Sequence, residues 1–177
     1  RFLRAREAAQ GGLAGRRPEA LEESTGLMVL AIGMYGALEL NYFRDIDLVV
    51  FYDAARFPFA KKGDPRAAAV ELVRGLVKLI AERGGGDYVF RVDLRLRPDA
   101  GATQVAISTD AALDYYEAMG QNWERAAMIK ARACAGDPRT ASDFVAGIAP
   151  FIWRRNLDFA AIADIHSIKR QIHAHGG

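Results

Sequence analysis

The segment RDIDLVVFY, residues 44–52, decides the fold. Residues 46–52 of it are aliphatic and aromatic apart from one aspartate, which predicts a buried strand. Asp45 and Asp47 stand at its start, and because side chains alternate along a strand they share one face, with Cα atoms roughly 6.5–7 Å apart. Two carboxylates this close repel each other unless a cation lies between them. The pair predicts a site for Mg²⁺ or Mn²⁺, although a strand end with two solvated acids looks the same in sequence.

A second stretch, FRVDLRLRP at residues 90–98, supplies a third carboxylate. The alternation of residues 88–97 predicts a strand with Val92, Leu94 and Leu96 on one face. Its other face carries one acid among basic residues: Arg91, Asp93, Arg95 and Arg97. If the two strands are neighbours, three carboxylates and several arginines face one cleft, a composition suited to phosphoryl or nucleotidyl transfer. The alternative is a solvent-facing strand whose arginines and aspartate pair with each other.

The remaining order of elements predicts an α+β fold. Residues 27–32 predict a first strand that ends in the turn GMYG, whose Gly33 and Gly36 let the backbone approach a phosphate closely or simply form a tight turn. A helix begins after Asp64 as N-cap and ends at residues 84–86, three glycines. From Asp110 onward the chain is predicted to be helical.

The predicted later helices are capped at residue 109 or 110 and continue through residue 116, then cover residues 123–133, 144–153 and 159–173. The chain thus divides into a lead-in at 1–26, a sheet core at 27–108 and a helical C-terminal part at 109–177. The overall prediction is a small mixed sheet with helices, followed by an α-helical appendage.

Composition excludes several classes of protein. The chain has 177 residues, of which 51% are hydrophobic and 26% charged, so a disordered chain is excluded. Five arginines and one glutamate fall in residues 1–17, while the rest holds 19 basic and 21 acidic groups, so no nucleic-acid surface is indicated. The longest apolar run, residues 27–38, is too short to span a bilayer. Cys134 is the only cysteine, which fits a reducing cytoplasm. The first residue is Arg1, which predicts a piece of a longer protein.

These motifs, taken in order, resemble one protein family. Residues 33–48 (GMYGALELNYFRDIDL) followed by residues 90–98 resemble the bacterial glutamine synthetase adenylyltransferase/deadenylylase family, within the DNA-polymerase-β-like nucleotidyltransferase superfamily. Further motifs resemble the family's N-terminal, adenylyl-removing domain: YYE at 115–117, GQNWER at 120–125, MIKAR at 128–132 and WRR at 153–155. The resemblance extends over about residues 27–173.

The resemblance implies roles for individual residues. Asp45, Asp47 and Asp93 would be the catalytic carboxylates and would bind Mg²⁺ or Mn²⁺. Five residues would bind nucleotide or phosphate: Gly33, Gly36, Arg95, Arg97 and Lys130. Among the motif residues, Trp123 is expected in the core and Glu124 as a buried partner of an arginine. His166 and His173, two turns apart on one predicted helix, are expected to be rim or core residues rather than metal ligands.

Four residues depart from the family's pattern. Met34 stands where the family has a lysine, Leu38 where it has an arginine, and Phe43 with Arg44 where it has two serines. A cation and a small hydroxyl are thereby lost beside the phosphate turn. Arg44 is expected either to pair with Asp45 or to compete with the metal for it. The departures predict slower turnover than in a relative with the usual residues.

The function that the resemblance implies is phosphorolysis of adenylylated glutamine synthetase. Orthophosphate would remove AMP from the modified tyrosine, giving ADP and the unmodified enzyme. The implied partners are glutamine synthetase and the PII signalling protein, in the cytoplasm, without nucleic acid or membrane. Two alternatives remain: a catalytically weakened regulatory module of the same fold that binds nucleotide or PII, and an unrelated nucleotidyltransferase acting on a small molecule or RNA. The latter requires residues 123–132 to match by accident.

Overall fold

A computed structural model describes residues 23, 25–41, 44–58, 64–81 and 90–153. Within these ranges the chain forms five strands and five helices. The strands are β1 (Leu27–Ala31), β2 (Ile46–Tyr52), β3 (Val92–Asp93), β4 (Ile107–Ser108) and β5 (Arg132–Gly136). The helices are α1 (Gly33–Gly36), α2 (Pro65–Ala81), α3 (Thr109–Ala118), α4 (Asn122–Met128) and α5 (Pro138–Ile152).

The five strands make one small mixed sheet, which confirms the predicted α+β architecture. β1 lies between two antiparallel neighbours, β2 and β5. The other edge of β2 carries two short parallel strands, with β3 opposite its first residues and β4 opposite its last. This arrangement is compatible with a nucleotidyltransferase-like fold. β2 therefore has neighbouring strands on both sides at its two ends, and its first residues lie at the edge where the candidate site forms.

Helices cover both faces of the sheet because β1 and β2 are apolar on both faces. Alternate residues of these strands pack against α2 on one face and against α3, α4 and α5 on the other. Phe51 of β2 stacks on Phe144 of α5 with ring centroids 4.5 Å apart, on the second face. The continuous burial of β2 explains why its sequence is nearly all hydrophobic rather than alternating.

The first half of the chain follows the prediction closely. β2 occupies the predicted residues, and β1 falls within the predicted strand. α2 begins after Asp64, whose side chain accepts a hydrogen bond from the Arg66 N–H at 3.0 Å, as expected for an N-cap. The glycines predicted to end this helix lie outside the described residues, as do the lead-in up to residue 22 and the helix predicted at 159–173.

The predicted helix over residues 123–133 is wrong in its second half. The helix ends at Met128, and Arg132–Gly136 is a strand that pairs with β1. Alanine favours helix in isolation, but the unpaired edge of β1 offers backbone hydrogen bonds that outweigh this preference. The sheet therefore extends into the part of the chain predicted to be helical. Cys134 is the extra residue of a bulge in this pairing, and its thiol contacts the Val29 carbonyl.

The ten-residue strand predicted at 88–97 is also wrong, because β3 ends at Asp93. The Asp93 carboxylate accepts a hydrogen bond from the Arg95 N–H at 2.8 Å, which turns the chain. Leu96 consequently packs on the α3–α5 face, whereas Val92 and Leu94 pack on the α2 face. The prediction that Val92, Leu94 and Leu96 share one face is therefore wrong for Leu96.

Two helix starts differ from the prediction. Ser108, rather than residue 109 or 110, caps α3 by accepting from the Ala111 N–H at 3.3 Å. α5 begins at Pro138, six residues before the predicted start, because Asp137 caps it. In the ranges that the structure describes, no helix combines the length and the apolar character needed to cross a membrane.

We expect Asp137→Ala to lower the free energy of unfolding by about 2–3 kcal/mol, since a helix cap and a buried hydrogen bond are lost together. Asp137 is buried, accepts from the Arg139 and Thr140 N–H groups, and also accepts from the Gly26 N–H at 3.1 Å just before β1. Urea unfolding measures the change. Asp143→Ala, on the exposed side of the same helix, is the control with an expected change under about 1 kcal/mol. Equal losses in both variants would contradict the assigned role of Asp137.

Candidate active site

The site is built on two carboxylates held side by side by the sheet. Asp47 of β2 and Asp93 of β3 are partners in the parallel register, so their side chains leave the same face of neighbouring strands about 4.8 Å apart. Val49 and Phe51 lie on the same face of β2 as Asp47, and both pack against α3, α4 and α5. The two acids therefore lie on the face of the sheet that these helices cover. The structure thus brings together the acids of the two predicted strands.

Asp47 is the electrostatically least favourable carboxylate of the site. Burial raises its pKa above the ordinary aspartate value, and the negative charges of Asp93 and Asp45 raise it further, while Arg95 opposes them. Both other acids therefore lie close enough to affect Asp47. A carboxylate in this position accepts a positive charge readily, whether from a proton or a cation.

Asp93 is stabilised in its charged form by Arg95. The Arg95 guanidinium binds both carboxylate oxygens, with Nε 3.0 Å from Oδ1 and 2.9 Å from Oδ2. This hydrogen bonding lowers the pKa of Asp93, against the smaller opposing effect of burial. The Arg95 side chain itself is 83% exposed, whereas that of Asp93 is 14% exposed. An exposed cation on the surface thus neutralises a carboxylate that is fixed in the sheet.

Asp45 is paired with Arg91, not with Arg44 as one expectation had it. Arg91 Nε lies 2.7 Å from Asp45 Oδ1. The Arg91 N–H does not point at this oxygen in hydrogen-bond geometry. Asp45 Oδ1, which is buried, therefore has an ion-pair partner but no hydrogen-bond donor among the described residues. The Arg91 carbonyl also accepts from the Ile46 N–H at 2.8 Å, which fixes the arginine beside the start of β2.

The glycines of α1 are required by close packing within the chain. Gly33 has a φ of +57°, and a Cβ there would lie 3.0 Å from Asp47 Oδ2. A Cβ at Gly36 would lie 2.2 Å from the Lys130 carbonyl oxygen and 2.6 Å from that of Ala31. The predicted turn is thus a single helical turn that lies directly against Asp47 on one side and the backbone at Lys130 on the other. Its role toward phosphate stays a prediction.

Residues 130–132 hold this turn in place. Arg132 donates to the Gly36 and Tyr35 carbonyls at 3.3 and 3.2 Å, and its guanidinium lies 5.6 Å from the centre of the Tyr35 ring. Lys130 Nζ lies 3.1 Å from Glu39 Oε2. Sequence reasoning missed the role of Arg132, although the motif MIKAR contains it. Lys130, predicted to bind phosphate, is placed beside α1 in an exposed ion pair.

Arg97 is placed in a loop rather than at the acids. Its guanidinium donates to the carbonyls of Leu94, Ala100 and Thr103, at 2.8, 2.7 and 3.1 Å. Its charge still lowers the pKa of Asp93, so it lies near the cleft. The arginine found at the acids in addition to Arg95 is Arg91, which was predicted on the same face as Asp93; the pairing of both arginines with aspartates matches the alternative in which arginines and aspartates pair with each other.

The structure corrects the expectation for Trp123 of α4 and part of the expectation for Glu124. Trp123 is 42% exposed and is therefore not a core residue. Glu124 is buried as expected, but in the described structure it accepts from the Tyr115 hydroxyl at 3.1 Å and the Gln121 N–H at 2.8 Å, not from an arginine. The bonds fix the start of α4 against α3. His166 and His173 lie outside the described residues.

The three carboxylates are chemically suited to a hard divalent cation. Carboxylate oxygens are the ligands that Mg²⁺ and Mn²⁺ prefer, and the Asp45 Oδ1 atom without a donor fits such a ligand. In the present arrangement, however, no three acidic, histidine or cysteine side chains of the described ranges are grouped closely enough to hold a metal ion. Arg91 and Arg95 stand at two of the three acids instead. The metal site stays a prediction that requires these ion pairs to open.

The sequence matches known proteins over nearly its whole length. The sequence model of the glutamate-ammonia ligase adenylyltransferase family matches residues 5–146. The chain is 54% identical over 176 residues to a bifunctional glutamine synthetase adenylyltransferase/adenylyl-removing enzyme of Bradyrhizobium diazoefficiens, covering 99% of this chain and 18% of that protein. It is 53% identical over 169 residues to the enzyme of the same name from Caulobacter vibrioides, covering 96% and 17%. The chain thus spans less than a fifth of the length of these relatives.

We expect Gly36→Ala to lower the free energy of unfolding by about 1–3 kcal/mol, because the added Cβ overlaps two backbone carbonyls that cannot move aside independently. The displaced helical turn also separates from Arg132. Thermal unfolding measures the loss. Gly101→Ala is the matched control, since a Cβ there meets only one side-chain atom at 3.8 Å. A tolerated Gly36→Ala variant would show that the turn is not held against residue 130.

Glu124 predicts a pH dependence of stability whose sign follows from its environment. Burial raises its pKa above the ordinary value of 4.5, so the folded state holds the proton more tightly than the unfolded state. The protein therefore loses stability as the pH rises from 4.5 through the raised pKa, and the loss is complete above it. Glu124→Gln keeps a carbonyl acceptor but cannot ionise. Urea unfolding at several pH values should show the wild type losing stability relative to the variant with rising pH; parallel profiles would contradict this.

Proposed function

Because this chain belongs to the glutamate-ammonia ligase adenylyltransferase family, we propose that it forms a nucleotidyltransferase domain that removes AMP from adenylylated glutamine synthetase by phosphorolysis. The observation that carries the proposal is the juxtaposition of Asp47 with Asp93 beside the Gly33 turn, with Asp45 close enough to raise the pKa of Asp47. The names of the relatives supply glutamine synthetase as the protein acted upon and both directions of adenylyl chemistry.

Three carboxylates would hold the metal: Asp45, Asp47 and Asp93. When bound, Mg²⁺ or Mn²⁺ supplies positive charge that neutralises phosphate oxygens and orients the attacking oxygen. Burial of Asp47 favours this occupancy, because the charge of Asp47 is poorly solvated and is opposed by its neighbours. Gly33 keeps the space beside Asp47 free of a side chain, so that a phosphate group can approach the acid.

The reaction exchanges one phosphorus–oxygen bond for another. An oxygen of orthophosphate attacks the phosphorus of the adenylyl-tyrosine diester and forms the new bond of ADP. The bond to the tyrosine oxygen breaks, and the proton of the hydrogen phosphate goes to that oxygen. Exposed guanidinium groups such as Arg95 match the bidentate geometry of phosphate and would hold the incoming anion.

The direction of the reaction rests on the downstream segment. Its motifs resemble the adenylyl-removing domain, and the structure packs that segment on the site: Arg132 binds the end of α1, and Lys130 pairs with Glu39. We further propose the PII protein as a signalling partner and the cytoplasm as the location. Nucleotide and orthophosphate are the small ligands, and no nucleic acid or membrane partner is proposed.

A regulatory module without full activity is the second candidate. Two observations favour it: arginines pair with Asp45 and Asp93 in this structure, and Met34 replaces the lysine of the family's turn. Such a module would bind nucleotide or PII without turnover. The two candidates differ in one measurable property, the release of ADP.

We expect the protein to release ADP from adenylylated glutamine synthetase only when orthophosphate and Mg²⁺ or Mn²⁺ are both present. Coupled detection of ADP, with and without orthophosphate, measures this. If AMP is instead transferred from ATP to the unmodified enzyme, the proposed direction is wrong while the family stands. Binding of nucleotide without any ADP release would establish the regulatory module.

Asp47→Asn is the variant that ties the activity to the site. We expect it to lower the rate by about 100-fold or more, since a metal-bound carboxylate contributes several kcal/mol to the transition state. Its stability should be unchanged or higher, because the variant removes a charge that the fold disfavours. Asp143→Asn, an exposed acid on α5, is the matched control. A parallel loss of stability and activity would make Asp47 a structural residue.

A further inference from the structure

The arginines at the site differ from the acids in how firmly they are held. Asp93 lies in the β2–β3 pairing and Asp45 directly precedes β2, so the backbone fixes both. Arg91 and Arg95 project outward, with side chains 63% and 83% exposed. A long, exposed side chain gains little from one ion pair, because solvent screens the charges and ordering the chain costs entropy. These pairs are therefore easily exchanged for a better partner.

The formal charges leave the site unbalanced. Three carboxylates face two guanidinium groups, and Asp47, between the other acids, has no arginine at ion-pair distance among the described residues. The contact of Arg91 with Asp45 also lacks hydrogen-bond geometry, which leaves that oxygen without a donor. Once the ion pairs open, a divalent cation among the acids would neutralise more of this charge than either arginine, each of which pairs with one acid.

We propose that Arg91 and Arg95 are exchangeable counter-ions of this site: each pairs with a carboxylate while no divalent cation is bound, and each is released toward an anionic substrate when the cation binds. The inference rests on the metal site of the proposed function. It makes the two arginines responsible for coupling between cation binding and phosphate binding, in that each ligand favours the state in which the ion pairs are open.

The coupling has a defined origin in the charges. Opening the pairs without a cation leaves three neighbouring carboxylates unneutralised, which the fold disfavours. With a cation bound, the same opening leaves two guanidinium groups without anions beside a positively charged metal. Phosphate then finds two bidentate donors and the metal together, whereas in the closed state it meets donors already occupied by carboxylates.

The test is a titration of the full chain with Mn²⁺, followed by the electron paramagnetic resonance signal of the free ion. We expect Arg91→Gln and Arg95→Gln each to bind Mn²⁺ about three- to fivefold more tightly than the wild type, because a competing exposed ion pair is removed. Arg44→Gln is the matched control. It removes the same charge from an exposed residue next to Asp45, but Arg44 makes no ion pair with the acids in the described structure.

Orthophosphate provides the second half of the test. In the wild type it should tighten Mn²⁺ binding, and this effect should shrink in Arg91→Gln and Arg95→Gln. An equal gain in Mn²⁺ affinity in all three variants would show that loss of any nearby positive charge has this effect, and it would overturn the proposal. An undiminished phosphate effect in both site variants would overturn it as well.

The failure of the inference is distinguishable from that of the metal site. If the wild type binds Mn²⁺, Asp47→Asn abolishes binding and the arginine variants bind as the wild type does, the metal site stands and the counter-ion role is wrong. If neither the wild type nor the arginine variants bind Mn²⁺, both the counter-ion role and the metal site are wrong.

Discussion

Partial burial of Asp47 directly beside Asp93 is the constraint on which the rest of the site depends. The parallel register of β2 and β3 fixes their separation, and the enclosure of β2 between neighbouring strands reduces the solvation of Asp47. A pair of acids in such a position raises the energy of the folded state unless positive charge compensates it. The exposed arginines of the β3 segment provide that charge in this structure. The fold thus holds these acids where binding of a cation is electrostatically favourable.

The packing of α1 shows how a distant segment of the chain completes the site. The turn after β1 is only one helical turn long and gains little stability of its own. It is held because Gly36 lets it lie against the backbone at residue 130, and because Arg132 binds its last carbonyls. β5 anchors that segment by pairing with β1. β5 therefore contributes, through Arg132, to holding the turn that lies beside Asp47.

The arrangement of charges also relates the two candidate functions to one structure. An arginine that neutralises a carboxylate in the absence of metal stabilises the fold, yet the same arginine competes with the metal for that carboxylate. Weak, exposed ion pairs allow both, because replacing the arginine by a cation costs little free energy. Whether the domain acts as an enzyme or as a binding module then depends on how strongly a cation and a phosphate group together displace the pairs.

The amino-acid sequence by itself determined the elements whose signals are local. β1, β2 and the start of α2 follow from apolar runs, a capping aspartate and a proline, and alternation placed Asp93 on the polar face of its strand and Asp47 on the same face as Asp45. Much of the rest was decided only by the tertiary structure. Residues 132–136 became a strand because β1 had an unpaired edge. The end of β3 at Asp93, by contrast, has a local cause that the alternation pattern did not reveal, since its carboxylate accepts from the Arg95 N–H two residues later. The Arg91–Asp45 pair was decided by the tertiary structure, because the pairing of β2 with β3 brings the two residues together, whereas Arg97 binds carbonyls within six residues of itself. Local propensity amounts to tenths of a kcal/mol per residue, about 0.7 at most for ordinary side chains, so a row of backbone hydrogen bonds to a neighbouring strand, as between β5 and β1, overrides it.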